Sequence, residues 1–244
     1  MNYLAHAWVL GEATPGLVLG AALPDLMGSF DRWGVRGAEP LAGARGRSPR
    51  IKRAPRLAHD AASALERAGA VELARGVRAH HAADVSFHAL PAFKEGCAEL
   101  RAALATLGLE RVRGFFVAHL LLEMLLDAAL MEEDPGLAPR FYEAMERAPV
   151  ARAAELCAKD AAGFEAWIGR FTRSRFLLDY ASDEKLVYRL EQVLSRARQT
   201  LGESGTLRLQ ETLPGMRAKV REWLAGLTGE PRRAVLELLR RAPV

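Results

Sequence analysis

Three side chains able to bind a first-row metal recur at a spacing of four in the stretch GVRAHHAADVSFHALP: His80, Asp84 and His88. Each step of four turns a helix by only about 40°, so all three project from one face. Imidazole and carboxylate are both ligands of such metals. The pattern recurs in FFVAHLLLEMLLDAAL, where His119, Glu123 and Asp127 interrupt a run that is otherwise almost wholly apolar. A carboxylate in that setting is costly to bury unless it is paired or bound to a cation. Two facing helices, each offering a nitrogen and a carboxylate, predict a metal-binding core in which His80, Asp84, His88, His119 and Glu123 converge.

The six histidines, His6, His59, His80, His81, His88 and His119, all fall in the first half of the chain. Seven or eight candidate ligands are too many for one tetrahedral ion, so two or three ions are expected. His81 is one residue out of phase with His80 and points about 100° away. It could touch substrate or serve as an acid or base, or sit on the rim with no role. Asp127 could be a ligand, a partner that orients a histidine, or a structural acceptor; the orienting role is preferred. Divalent cations would lower the pKa of a bound water and offset charge on phosphoryl oxygens, which suits phosphoester hydrolysis. No G-x-S-x-G elbow is present, and no serine or cysteine stands out as a nucleophile.

The elements that must position these residues read as helices. Met1–Gly11 carries His6. Leu17–Leu23 follows, and Pro24 is expected to end it, leaving Asp25 at a helix end from which a carboxylate could be aimed into a site. Further helices are expected over Arg56–Ala68, Val71–Leu90, Phe93–Leu107, Glu110–Met131, Asp134–Met145, Val150–Phe171 and Lys185–Arg198, with a short helix or turn over Arg173–Tyr180. Gly202–Gly215 reads as a linker before two short helices, Met216–Leu227 and Pro231–Arg241. Between Asp31 and Pro55 the chain is rich in Gly, Pro and basic residues, among them Arg45, Arg47, Arg50, Lys52 and Arg53. That segment is either a solvated loop or a basic lid over an anionic substrate.

Composition supports this reading. The chain has 244 residues, half of them hydrophobic and few aromatic. It can form one sizeable core, or one domain with an appended piece. Abundant Ala, Leu, Arg and Glu favour helix over sheet. A formal charge of +4 suits an anionic partner but is also ordinary for solubility. Two cysteines without a pairing motif fit a reducing compartment. With no secretory leader in view, a cytoplasmic protein is expected. The apolar run around Leu120 reads as a buried core helix because His119, Glu123 and Asp127 break it, so no membrane span is expected. No glycine-rich nucleotide motif or internal repeat is present, and no nucleic-acid partner is expected.

Taken in order, MNYLAHAWVL, LVLGAALPDLMG, GVRAHHAADVSFHALP and AHLLLE resemble the acyl carrier protein phosphodiesterase family, as does FLLDYASDEKLVYRLEQVLSRAR. The resemblance implies an all-helical fold related to the HD-domain phosphohydrolases. It implies release of 4′-phosphopantetheine from an acidic carrier protein with a divalent cation, manganese favoured. His6, Asp25, His80, Asp84 and His119 carry over as functional positions. His81 stands where that family has arginine, His88 where it has aspartate, and Ala118 where it has an acidic residue. The order of candidate ligands is also similar to that of zinc-dependent phospholipase C. That second resemblance implies a ligand set of His6, Asp25, His59, His80, Asp84, His88, His119 and Glu123.

The expectation is therefore an all-α, HD-like or phospholipase C-like helical domain over residues 1–200, with a linker and helical extension over 201–244. Its function would be metal-dependent phosphodiester hydrolysis. Two or three ions are expected, zinc or manganese, with iron or magnesium as further options. Asp84 could bridge two ions and His81 could assist catalysis, while Arg45, Arg47, Arg50, Lys52 and Arg53 would meet an anionic substrate or acidic carrier protein. Two rivals are a helical protein with a structural metal and a non-catalytic binding module.

Overall fold

Leucine and alanine recur at helical spacing through most of the sequence, and the computed structural model is helical throughout. It describes residues 2–11, 13–33, 62–109, 114–196 and 199–241. The helices are α1 (Tyr3–Leu10), α2 (Pro15–Trp33), α3 (62–67), α4 (Val71–Ala89), α5 (Pro91–Thr106), α6 (Gly114–Glu133), α7 (Leu137–Arg147), α8 (Val150–Cys157), α9 (Ala161–Ser174), α10 (Asp183–Arg196) and α11 (Gly202–Arg241). A 3₁₀ helix, Phe176–Ala181, links α9 to α10. No strand occurs among the described residues, as the composition implies.

The helices that matter for the site are α1, α2, α4 and α6. Helices α2 and α4 lie against each other at Gly20 and Gly76. A Cβ on Gly20 would fall 2.4 Å from the Leu73 carbonyl oxygen, and one on Gly76 would fall 2.4 Å from that of Leu17. Only glycine permits this approach, and it brings the α2 and α4 backbones close enough for their ligands to meet.

Helix α6 runs through the core, with Leu121, Leu122, Leu125, Leu126 and Leu130 all buried. At roughly 2 kcal/mol for each fully buried leucine, this face far outweighs the cost of carrying polar side chains inward. By length and composition α6 could also cross a membrane, but two thirds of its apolar window is buried inside the fold. Helices α5 and α11 flank it, and α1 crosses it near Asp127.

Three local expectations are corrected. Helix α2 does not stop at Pro24 but continues to Trp33 with that proline inside, so Asp25 lies within a helix. Proline removes one i to i−4 hydrogen bond, a loss that packing against α4 offsets here. The stretch Val150–Phe171 forms two helices, because Ala158 is extended and the Asp160 carboxylate caps α9 by accepting from the Gly163 N–H at 2.9 Å. Gly202–Gly215 is not a linker: α11 is one helix of 40 residues with Pro214 and Pro231 inside it. Leu209, Leu213, Val220, Leu227 and Val235 bury its inner side, and that burial outweighs the two missing bonds.

Candidate metal centre

The candidate ligands form two groups. In the inner group, α1 supplies His6, α2 supplies Asp25 and α4 supplies His80, their donor atoms all within 4.8 Å of one another. Asp84, one turn along α4, lies between the two imidazoles: Oδ1 is 3.3 Å from His6 Nε2 and Oδ2 is 3.4 Å from His80 Nε2. The two rings stack with centroids 4.0 Å apart.

His80 is held in one orientation. Its Nδ1 donates to the Ala21 carbonyl at 2.9 Å, since a carbonyl can only accept. That bond directs Nε2 toward Asp84, the second-partner arrangement metal-bound histidines usually show; against the effect of burial, the Asp25 and Asp84 carboxylates raise the His80 pKa. Both ring nitrogens of His6 are buried, with Nε2 facing Asp84 Oδ1. Burial first, and then the neighbouring His80, depress its pKa to about 3, so the ring is neutral and able to ligate. Burial pushes the Asp25 carboxyl up to about 6, against the pull of His80. For Asp84, burial is outweighed by the His6 and His80 side chains among other charges, and its carboxyl stays well below the usual range.

The outer group lies one turn further along α4. His88 Nε2 faces His119 Nε2 at 3.4 Å, and His119 Nε2 is 2.9 Å from Glu123 Oε1. His88 Nε2 is 3.9 Å from the same oxygen. Phe93 stands edge-on to both rings, with centroids 5.0 Å from His88 and 5.1 Å from His119. The two groups differ in exposure. His6 and His80 are 2% and 3% exposed, whereas the side chains of His88 and His119 are 38% and 29% exposed. His88 and His119 also line a cavity of about 470 Å³.

These separations match a coordination shell. Donors about 2.1 Å from a tetrahedral ion lie roughly 3.4 Å from one another. Two facing imidazole nitrogens gain at most one hydrogen bond between them, but both can donate to one cation. The residues present thus fit a divalent ion at each group: His6, Asp25 and His80 for the inner one, with Asp84 beside both imidazoles, and His88, His119 and Glu123 for the outer one.

Asp127 belongs to neither group, and it does not orient a histidine. It is fully buried and accepts from two backbone N–H groups of α1, Ala5 at 2.8 Å and Leu4 at 3.2 Å. Those are unpaired donors of the first helical turn, so the carboxylate caps α1 from a distant helix. Burial pushes its carboxyl up to about 8, against the two N–H donors. Asp127 therefore fixes the helix that delivers His6. Asp127→Ala is expected to lose about 2 kcal/mol of stability, since it leaves both buried donors unsatisfied. Thermal unfolding should show a drop of roughly 4–8 °C, and metal affinity should fall with it. Unchanged melting would remove this role.

The remaining expectations divide. His81 lies outside both groups, its ring edge-on to His80 at 5.1 Å with Nε2 buried and unbonded. Burial first, and then His80, lower its pKa to about 4. His59 and the basic residues Arg45, Arg47, Arg50, Lys52 and Arg53 lie outside the described residues. The sequence reading passed over Phe93, Lys94, Arg101 and Phe115, which line the outer cavity. The spacing of Lys94 and Arg101, seven apart on one helix, was the available signal.

Compared with known proteins, the chain matches no family model, no curated protein and no solved structure.

Proposed function

We propose that the protein is a metal-dependent phosphodiesterase. The observation that carries the reading is the convergence of His88, His119 and Glu123 beside an open cavity, with a second ligand group one turn away. A structural metal site is closed by protein ligands, whereas a catalytic one keeps a position open toward solvent or substrate. The outer group offers three protein donors and faces solvent. The inner group is the more buried of the two, with His6 and His80 almost wholly enclosed, which favours a structural or electrostatic role for its ion.

A divalent cation there would supply activated water and offset the charge of the phosphoryl oxygens. The chain's own residues do the rest. Ala21 orients His80, and Asp127 holds the helix of His6. Asp84, between His80 and His88 on α4, would help hold an ion at the inner group through its contacts with His6 and His80. The ordered resemblance to acyl carrier protein phosphodiesterases supports a phosphodiester substrate, with phosphopantetheine on a carrier protein as one candidate. That family's aspartate is His88 here, which adds a nitrogen donor to the outer site. Two imidazoles and one carboxylate favour zinc over manganese.

The test uses a generic chromogenic phosphodiester. Hydrolysis should disappear after treatment with a chelator and return with zinc or manganese. Activity that persists in the metal-free protein would sink the reading.

A further inference from the structure

The cavity at the outer ligand group is a groove between α5 and the start of α6. It is lined by His88 and His119, by Cys97 and Ala98, and by the aromatic rings of Phe93 and Phe115. Phe115 is 62% exposed although it is large and apolar, and the adjacent Phe116 is 39% exposed. Exposed aromatic pairs of this kind on a soluble fold mark binding surfaces. Lys94 and Arg101 also line the groove. They lie seven residues apart on α5, which places them on one face and about 10 Å from each other. Neither makes an ion pair among the described residues, whereas Lys219, Arg221 and Arg217 on neighbouring α11 all do. Arg101 and Phe115 also line a second cavity of about 490 Å³, continued by Leu104, Leu109 and Phe116.

The groove thus brings together an apolar aromatic lining, two cations and the outer candidate ligands. A ligand complementary to all three features carries a phosphoryl group at one end and an extended apolar body. We propose that this groove binds the organic substituent of the substrate, and that the substrate is an amphiphilic phosphate ester. Its phosphoryl group would sit at His88 and His119, its apolar portion along Phe93 and Phe115, and its negative charge against Lys94 and Arg101. This rests on the phosphodiesterase reading for the phosphoryl end, while the groove itself supplies the apolar preference.

The experiment is a titration of the zinc-loaded protein with ethyl, butyl, hexyl and octyl phosphate, below their micelle concentrations, read by calorimetry. Each added methylene should tighten binding, by up to about fourfold where it is fully buried. The gain should stop once the groove is filled. In Phe115→Ser the dependence on chain length should flatten. Octyltrimethylammonium should bind at least tenfold more weakly than octyl phosphate, and neutralising Lys94 and Arg101 together should narrow that gap. Equal affinity for ethyl and octyl phosphate overturns the proposal, and so does equal binding of the cationic amphiphile. The two readings fail separately. If zinc does not strengthen ethyl phosphate binding but chain length still does, the metal reading falls and the groove stands. If zinc strengthens ethyl phosphate binding and chain length has no effect, the groove falls and the metal reading stands.

Discussion

Asp84→Ala is expected to remove phosphodiester hydrolysis almost completely, with kcat/KM falling by about 10³-fold or more, equivalent to ~4 kcal/mol of lost transition-state stabilisation. Asp84 is placed against both inner imidazoles, at 3.3 and 3.4 Å, and it stands one turn from His88 on the same helix. Deleting it would leave a cation on the inner side with less compensating charge. Asp84→Asn keeps the shape and removes the charge, so it should retain the fold while losing most of the activity. Metal content should fall in both variants. Full activity in the asparagine variant would show that the carboxylate's charge is not used.

Metal loading should stabilise the protein strongly. Both nitrogens of His6 are buried with Nε2 3.3 Å from Asp84 Oδ1, so a cation held by both side chains would stabilise the folded chain. At a free zinc concentration about 1,000-fold above Kd, linkage alone contributes roughly 4 kcal/mol. In a chain of this size that raises the melting temperature by about 8–16 °C. Alanine substitution at His6 or His80 should abolish most of this shift, whereas substitution at His119 should remove a smaller part, because its site is solvent-facing. A melting temperature indifferent to zinc would rule out a buried ion.

The all-α class was legible because helix-forming residues dominate, and so was the repeated spacing of four that places His80, Asp84 and His88 on one face. The membership of the groups was only partly legible. The sequence suggested that one set on α4 would meet one set on α6 directly. Instead His80 and Asp84 meet His6 and Asp25 from α1 and α2, and only His88 meets His119 and Glu123. Spacing within a helix reports a shared face, but not which neighbour that face meets. Here the neighbour is decided by the Gly20–Gly76 approach, a tertiary fact. Pro24 misled for the same reason, since a local helix-breaking tendency yields to packing in a buried helix. Asp127 carried the right signal of a buried carboxylate, but its partners are backbone amides of α1, which no side-chain pattern reveals.

The bond from Asp127 to the first turn of α1 spans 122 residues of sequence, and this bears on how the protein comes to be made. At ribosomal speeds of 5–20 residues per second, roughly 6–25 s separate the synthesis of Ala5 from that of Asp127. During that interval the amino-terminal helix has none of the acceptor that later secures it, and a short isolated helix is barely stable in water. The segment bearing His6 therefore waits, largely unfolded, for α6 to emerge. An ion bound by the inner group would then be taken up only after Asp127 has been synthesised and α6 has formed. Scarcity of metal at that moment would act on newly made chains rather than on mature protein.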